Sequence, residues 1–96
     1  MNIGVTIKKL RKEKGLNQQE FGKLTGITQT SLSLIENGNT IPNKSTLKSI
    51  CKVLNVPEEL LYFLSIDESD VPAEKREKFD LLYPTARDLM LKIFSE

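Results

Sequence analysis

The stretch Gly15-Leu16-Asn17-Gln18-Gln19-Glu20-Phe21, followed by Thr25-Gly26-Ile27-Thr28-Gln29-Thr30-Ser31-Leu32, carries the same helix-start signal twice. Asn17 can cap a helix through its side-chain oxygen. Glu20 stands three residues later, where its carboxylate can reach back to the Asn17 amide, and Leu16 and Phe21 can close over the first turn as a hydrophobic staple. A helix is therefore predicted from Gln18, ending at Gly26. Ile27, Thr28 and Leu32 then repeat the arrangement, so a further helix follows to about Glu36. Only Thr25-Gly26-Ile27-Thr28 separates the two, and so short a connection makes them cross steeply.

Helical periodicity extends outward from this pair, and the fold class is all-α. A first helix is expected from Ile3 to Lys14, with Ile3, Ile7 and Leu10 on one stripe and Lys8, Lys9, Arg11 and Lys12 mostly outside it; Gly15 ends it. Asn37-Gly38 closes the third helix. Pro42-Asn43 starts a fourth that turns Leu47, Ile50, Val53 and Leu54 inward and stops at Asn55, and Pro57 opens a fifth through Leu60, Leu61 and Leu64. Residues 65–71 are polar and acidic without a helical stripe, which reads as a linker. Two more helices, Pro72 to Leu82 and Pro84 to Ser95, each begin with proline. The last carries Ala86, Leu89, Met90, Ile93 and Phe94 on a broad apolar face. The organisation expected is thus a unit over 1–64, a linker over 65–71 and a helical extension over 72–96.

Composition narrows the function. At 96 residues with no histidine and a single cysteine, the chain has little interior for a substrate pocket. It also offers no His-based acid/base pair, no Cys/His metal site and no internal disulfide. No nucleophile and base, metal cluster or phosphate-cradling glycine loop is visible, so neither an enzyme nor a cofactor is expected. Cys51 reads as a buried small residue, with a redox switch as the alternative. No apolar run nears the ~20 residues needed to span a bilayer, and the expectation is a reducing, cytoplasmic location. Residues 1–64 hold nine Lys/Arg against five acids (+4), and residues 65–96 five against eight (−3). A polyanion partner for the N-terminal part fits that asymmetry.

The whole run from Gly15 through Glu36-Asn37-Gly38, then Pro42 and a helix ending Val53-Leu54-Asn55-Val56, resembles the Cro/C1-type (XRE) helix-turn-helix family over about residues 3–64. The resemblance implies a five-helix, lambda-repressor-like DNA-binding domain, here with a two-helix C-terminal extension, whose third helix enters the major groove of double-stranded DNA. On that helix Gln29, Thr30 and Ser33 share the outward face. Gln29 can pair with adenine and Thr30 can meet a thymine methyl, while Leu34 at the edge either does the same or is partly core. The family pattern places phosphate contacts at Gln18 and then at Asn37, Asn39, Thr40 and Lys44. Plain turn chemistry accounts equally well for Asn37 and Asn39. It also pairs a basic residue of helix one with the acid of helix three, which makes Arg11 and Glu36 a structural ion pair instead of a phosphate clamp.

One such domain reads few base pairs, so a homodimer on a palindromic operator is expected, with the protein acting as a repressor. Phe79, Leu82, Leu89, Met90, Ile93 and Phe94 supply the apolar surface for dimerisation; folding back onto the same subunit is the alternative. Two other readings share the module: an antitoxin that represses its own operon and holds a second protein through the tail, and a restriction-modification controller.

Overall fold

The structure is a computed structural model describing residues 1–95, and among these all regular structure is helical. The elements are α1 (Ile3–Glu13), α2 (Gln18–Thr25), α3 (Gln29–Glu36), α4 (Lys44–Leu54), α5 (Glu58–Leu64) and α6 (Arg76–Phe94), with 3₁₀ turns over Glu68–Asp70 and Ala73–Lys75 before α6.

Local chemistry sets the boundaries of α2 and α3. Asn17 Oδ1 accepts from the Glu20 amide at 2.7 Å and Glu20 Oε1 accepts from the Asn17 amide at 3.0 Å, the reciprocal pair of a capping box. Thr28 Oγ1 caps α3 by accepting from the Ser31 amide at 3.1 Å. Between them Gly26 adopts φ +77°, a left-handed conformation that costs glycine least. The crossing is also tight. A Cβ on Gly22 would lie 2.6 Å from the Ile27 carbonyl oxygen, and one on Gly4 would lie 2.1 Å from that of Ile35. Missing side chains thus let α2 close onto the turn and α1 onto α3.

The core lies where α1 to α5 converge. Phe21, Ile7, Leu32, Ile50 and Leu61 are completely buried, with Ile35, Leu47, Cys51 and Leu54 around them. Each large apolar side chain so buried contributes ~1.5–3 kcal/mol. One ion pair lies beside this core. Arg11 Nε and Nη2 donate to Glu36 Oε2 and Oε1 at 2.7 and 2.9 Å, and Arg11 Nη1 donates to the Leu16 carbonyl at 2.7 Å. The two residues are 5% and 3% exposed, so their charges are satisfied by each other and not by water.

Residues 65–71 run close to the N-terminus. Ser65 is buried, its hydroxyl donating to the Leu61 carbonyl at 2.7 Å and sharing a hydrogen bond with the Thr6 hydroxyl at 2.8 Å. The Met1 amino group sits 3.2 Å from Asp67 and 3.0 Å from Asp70. Hydrogen bonds from Ser69 and from this amine hold the Asp67 carboxyl below the usual range. For Asp70 the Asp67 backbone and the amine do the same.

The extension differs from the two helices expected over Pro72–Leu82 and Pro84–Ser95. Pro72 leads only into a 3₁₀ turn, and a single helix, α6, passes through Pro84. Pro84 has no N–H for the Asp80 carbonyl and its ring crowds that carbonyl. Both residues are exposed, so water can take the freed acceptor, while Tyr83 on the adjoining face holds the helix to α5 across the defect. Proline here marks a weak point of one helix and not a boundary between two.

Replacing Arg11 by Ala leaves the Glu36 carboxylate buried without its partner, and a loss of ~3–5 kcal/mol is expected. In a domain of this size that lowers the thermal midpoint by more than ~10 °C in a circular dichroism melt; an unchanged midpoint contradicts the structural role. The Cys51 thiol is pushed up to about 11, by burial first and then by the negative charges of Glu58 and Glu59. It should therefore react with a maleimide or disulfide reagent at neutral pH far more slowly in the native protein than in denaturant, and equal rates would show the site to be open.

Candidate nucleic-acid interface

The surface formed by α3 and its flanks follows from which side of the helix the core takes. Leu32, Ile35 and Glu36 are buried against α1 and α2, which leaves Gln29, Thr30 and Leu34 exposed. Gln29 and Thr30 occupy the first turn of the helix, just after the Thr28 cap. Leu34 is 42% exposed, so part of its side chain faces outward and part packs inward. Its carbonyl instead accepts from the Asn39 and Thr40 amides at 2.9 and 3.3 Å, folding the following loop back over the end of α3. Ser33 is only half-exposed, and its hydroxyl lies 3.5 Å from Asn37 Nδ2.

Five polar residues stand around this helix. Asn37 ends α3 and Gly38 follows at φ +78°, so the turn reading describes the Asn37 backbone, while the side chains of Asn37, Asn39 and Thr40 remain exposed. Lys44 is exposed in the first turn of α4, where Asn43 Oδ1 caps by accepting from the Thr46 amide at 2.8 Å. Gln18, the first residue of α2, is half-buried, and its Nε2 donates to Glu36 Oε1 at 3.2 Å. One amide hydrogen is thereby occupied and the second stays available to an outside acceptor. Arg11 is different in kind. Its guanidinium is consumed by Glu36 and the Leu16 carbonyl, so the basic character of the surface comes from lysines.

Two features escape a reading of the sequence. The Gln18 to Glu36 hydrogen bond links residues 18 positions apart, and no local pattern announces it. Ile41 is 85% exposed in the loop beside the end of α3. An apolar residue placed directly before Pro42 in an otherwise polar loop was the available signal.

The C-terminal dimerisation candidates divide between sides of α6. Leu82, Leu89 and Ile93 are 57%, 57% and 67% exposed. Phe79 is half-buried and stacks on Tyr83 with ring centroids 4.6 Å apart, and Met90 is partly exposed. Phe94 instead lines two grooves beside the end of α4, one of them shared with Leu10, Leu16 and Leu54.

With this geometry in place, comparison with known proteins is specific. The Helix-turn-helix family model matches residues 7–61, more than half of the chain. The chain is 41% identical over 64 residues to the ImmF control region 10 kDa protein of Bacillus phage phi105, covering 67% of this chain and 71% of that one. It is 28% identical over 93 residues to the HTH-type transcriptional repressor RghR of Bacillus subtilis, covering 83% of this chain and 69% of that protein. It is also 43% identical over 54 residues to the Antitoxin PezA of Streptococcus pneumoniae, covering 56% of this chain and 34% of that protein. A capped, steeply crossed helix pair with an exposed second member, in a five-helix domain matched over its length, has one family identity: this chain belongs to the Cro/C1-type (XRE) family of helix-turn-helix, DNA-binding transcriptional regulators.

Proposed function

We propose that the chain is a repressor that binds a palindromic operator as a homodimer, with α3 of each subunit in the major groove. The observation that carries this reading is the exposure of Gln29, Thr30 and Leu34 on the one side of α3 that the core leaves free. Gln29 offers a donor and an acceptor to adenine, Thr30 and Leu34 offer methyl groups to thymine, and Ser33 contributes a half-exposed hydroxyl. Gln18, Asn37, Asn39, Thr40 and Lys44 surround α3 with donors suited to phosphate, which fix register without reading sequence. Similarity to a phage control-region protein and to a protein named a repressor supports repression over activation.

The second copy follows from α6. Because the helix is continuous, Phe79, Leu82, Ala86, Leu89 and Ile93 recur at spacings of 3, 4, 3 and 4. That is the seam of a two-helix coiled coil, and such a seam is self-complementary about a twofold axis. A helix of 19 residues is about 28 Å long, enough for a short paired segment. No described helix is long and apolar enough to cross a membrane, and action on DNA in the cytoplasm fits the proposal. The similarity to an antitoxin favours a second reading, in which α6 holds another protein while the same α3 reads DNA.

Selection of bound sites from random duplex DNA should return two inverted half-sites about one helical turn apart; a single asymmetric site contradicts the dimer. Gln29→Ala is expected to relax preference at one position per half-site at a cost of ~1–3 kcal/mol on the intact operator. An equal loss on every sequence would sink the base-reading role. Sedimentation of the full chain carrying Leu89→Glu and Ile93→Glu should show a monomer where the parent is a dimer, and a persisting dimer would place the interface elsewhere.

A further inference from the structure

We infer that Tyr83 fixes the angle between the dimer seam and the DNA-binding domain, and is thereby the positioning residue that sets which half-site spacing the protein accepts. The inference rests on the homodimer reading above. A dimer that pairs only through α6 transmits geometry to α3 only if α6 is held rigidly on its own domain, and chain connectivity secures α6 at one end alone. There Arg76 Nε donates to the Glu68 and Val71 carbonyls at 3.2 Å, and Ser65, Asp67 and Asp70 bind residues of the N-terminal segment. With no second attachment, α6 would swing about this point.

Tyr83 is the second attachment. Its hydroxyl donates to the Phe63 carbonyl at 2.5 Å, and among the described residues this is the one hydrogen bond from α6 to residues 1–64. Its ring lies 5.4 Å from that of Phe63 and 4.6 Å from that of Phe79, and the Arg87 guanidinium stands 6.0 Å from its centroid. Burial raises the phenol above its usual range, so the hydroxyl keeps its proton. Beyond Tyr83 the contact loosens. The end of α6 stands over a groove of about 560 Å³ lined by Leu10, Leu16, Leu54, Leu91 and Phe94. Phe79, Leu82 and Ala86 border the clamp, lining one groove with Tyr83 and Phe63, whereas Leu89 and Ile93 lie beyond it and stay exposed, so removing the clamp leaves the Leu89 and Ile93 part of the seam intact.

A rigid arm and a flexible one bind a matched operator by different economies. When the two domains are held at one separation, both half-sites engage only if the DNA presents them at that separation. A loose connection tolerates many separations and gains less at each. The test compares the parent chain, Tyr83→Phe and Tyr83→Ala on operators whose half-sites are moved apart or together by about two base pairs, and on a duplex with one half-site. The expected parent preference for its own spacing is at least ~10-fold, falling to within ~3-fold in Tyr83→Ala, with single-half-site affinity unchanged and the dimer retained in sedimentation. Tyr83→Phe, which keeps the stack and loses only the hydrogen bond, should fall between them and remain folded. Parent-like spacing discrimination in both variants overturns the inference while leaving the dimer standing. A parent chain that is monomeric, or indifferent to spacing, overturns the homodimer reading and this inference with it.

Discussion

The Arg11 guanidinium, through its bonds to Glu36 and to the Leu16 carbonyl, joins α1, the turn before α2 and the end of α3 at one point. The rest of the reading head depends on that junction. An acidic side chain at the end of α3 would otherwise face the phosphate backbone or lie buried and uncompensated, and either is costly. Paired with Arg11 through both oxygens, the same carboxylate also accepts from Gln18 at Oε1, so a buried charge pair reaches the surface through a half-buried amide. Stability of the domain and orientation of the Gln18 amide, the donor proposed to meet phosphate, therefore share one group. This explains why the surface draws its positive charge from lysines around the helix pair while Arg11 takes no part in it.

The extension obeys a different constraint. Helix α6 is apolar over a wide arc, and its own domain covers only part of it. Tyr83 and, more loosely, Phe94 turn toward residues 1–64, leaving Leu82, Leu89 and Ile93 in solvent. In the proposed homodimer a second copy covers that remainder and brings the second half-site reader. Pro84 is compatible with this because the carbonyl it orphans is on an exposed stretch and not in the seam.

Much of the fold was legible because its signals are local. Asn17 with Glu20, Thr28 with the Ser31 amide, and the left-handed Gly26 and Asn55 act across three residues or fewer, so a helix boundary is written where it occurs. The apolar stripes of α1 to α5 likewise name their buried members, Ile7, Phe21, Leu32, Ile50 and Leu61 among them. The exposed face of α3 follows from the same periodicity. Where a local signal misled, as at Pro84, a tertiary contact one residue away outweighed it, since a helix can lose one hydrogen bond to water and keep its course when packing holds both halves.

What the sequence alone determined is therefore the number and limits of the first five helices, the side each turns inward, and the helix pair with its polar outer face, because these depend on neighbours three or four residues away. Only the tertiary structure decided that Gln18 leans on Glu36, that Leu34 stays exposed with its carbonyl tied to the next loop, that α6 is one helix, and that Tyr83 anchors it to Phe63. These contacts join residues brought together by how whole helices pack, and packing is set by the summed shape and charge of all of them, which no short window of sequence contains.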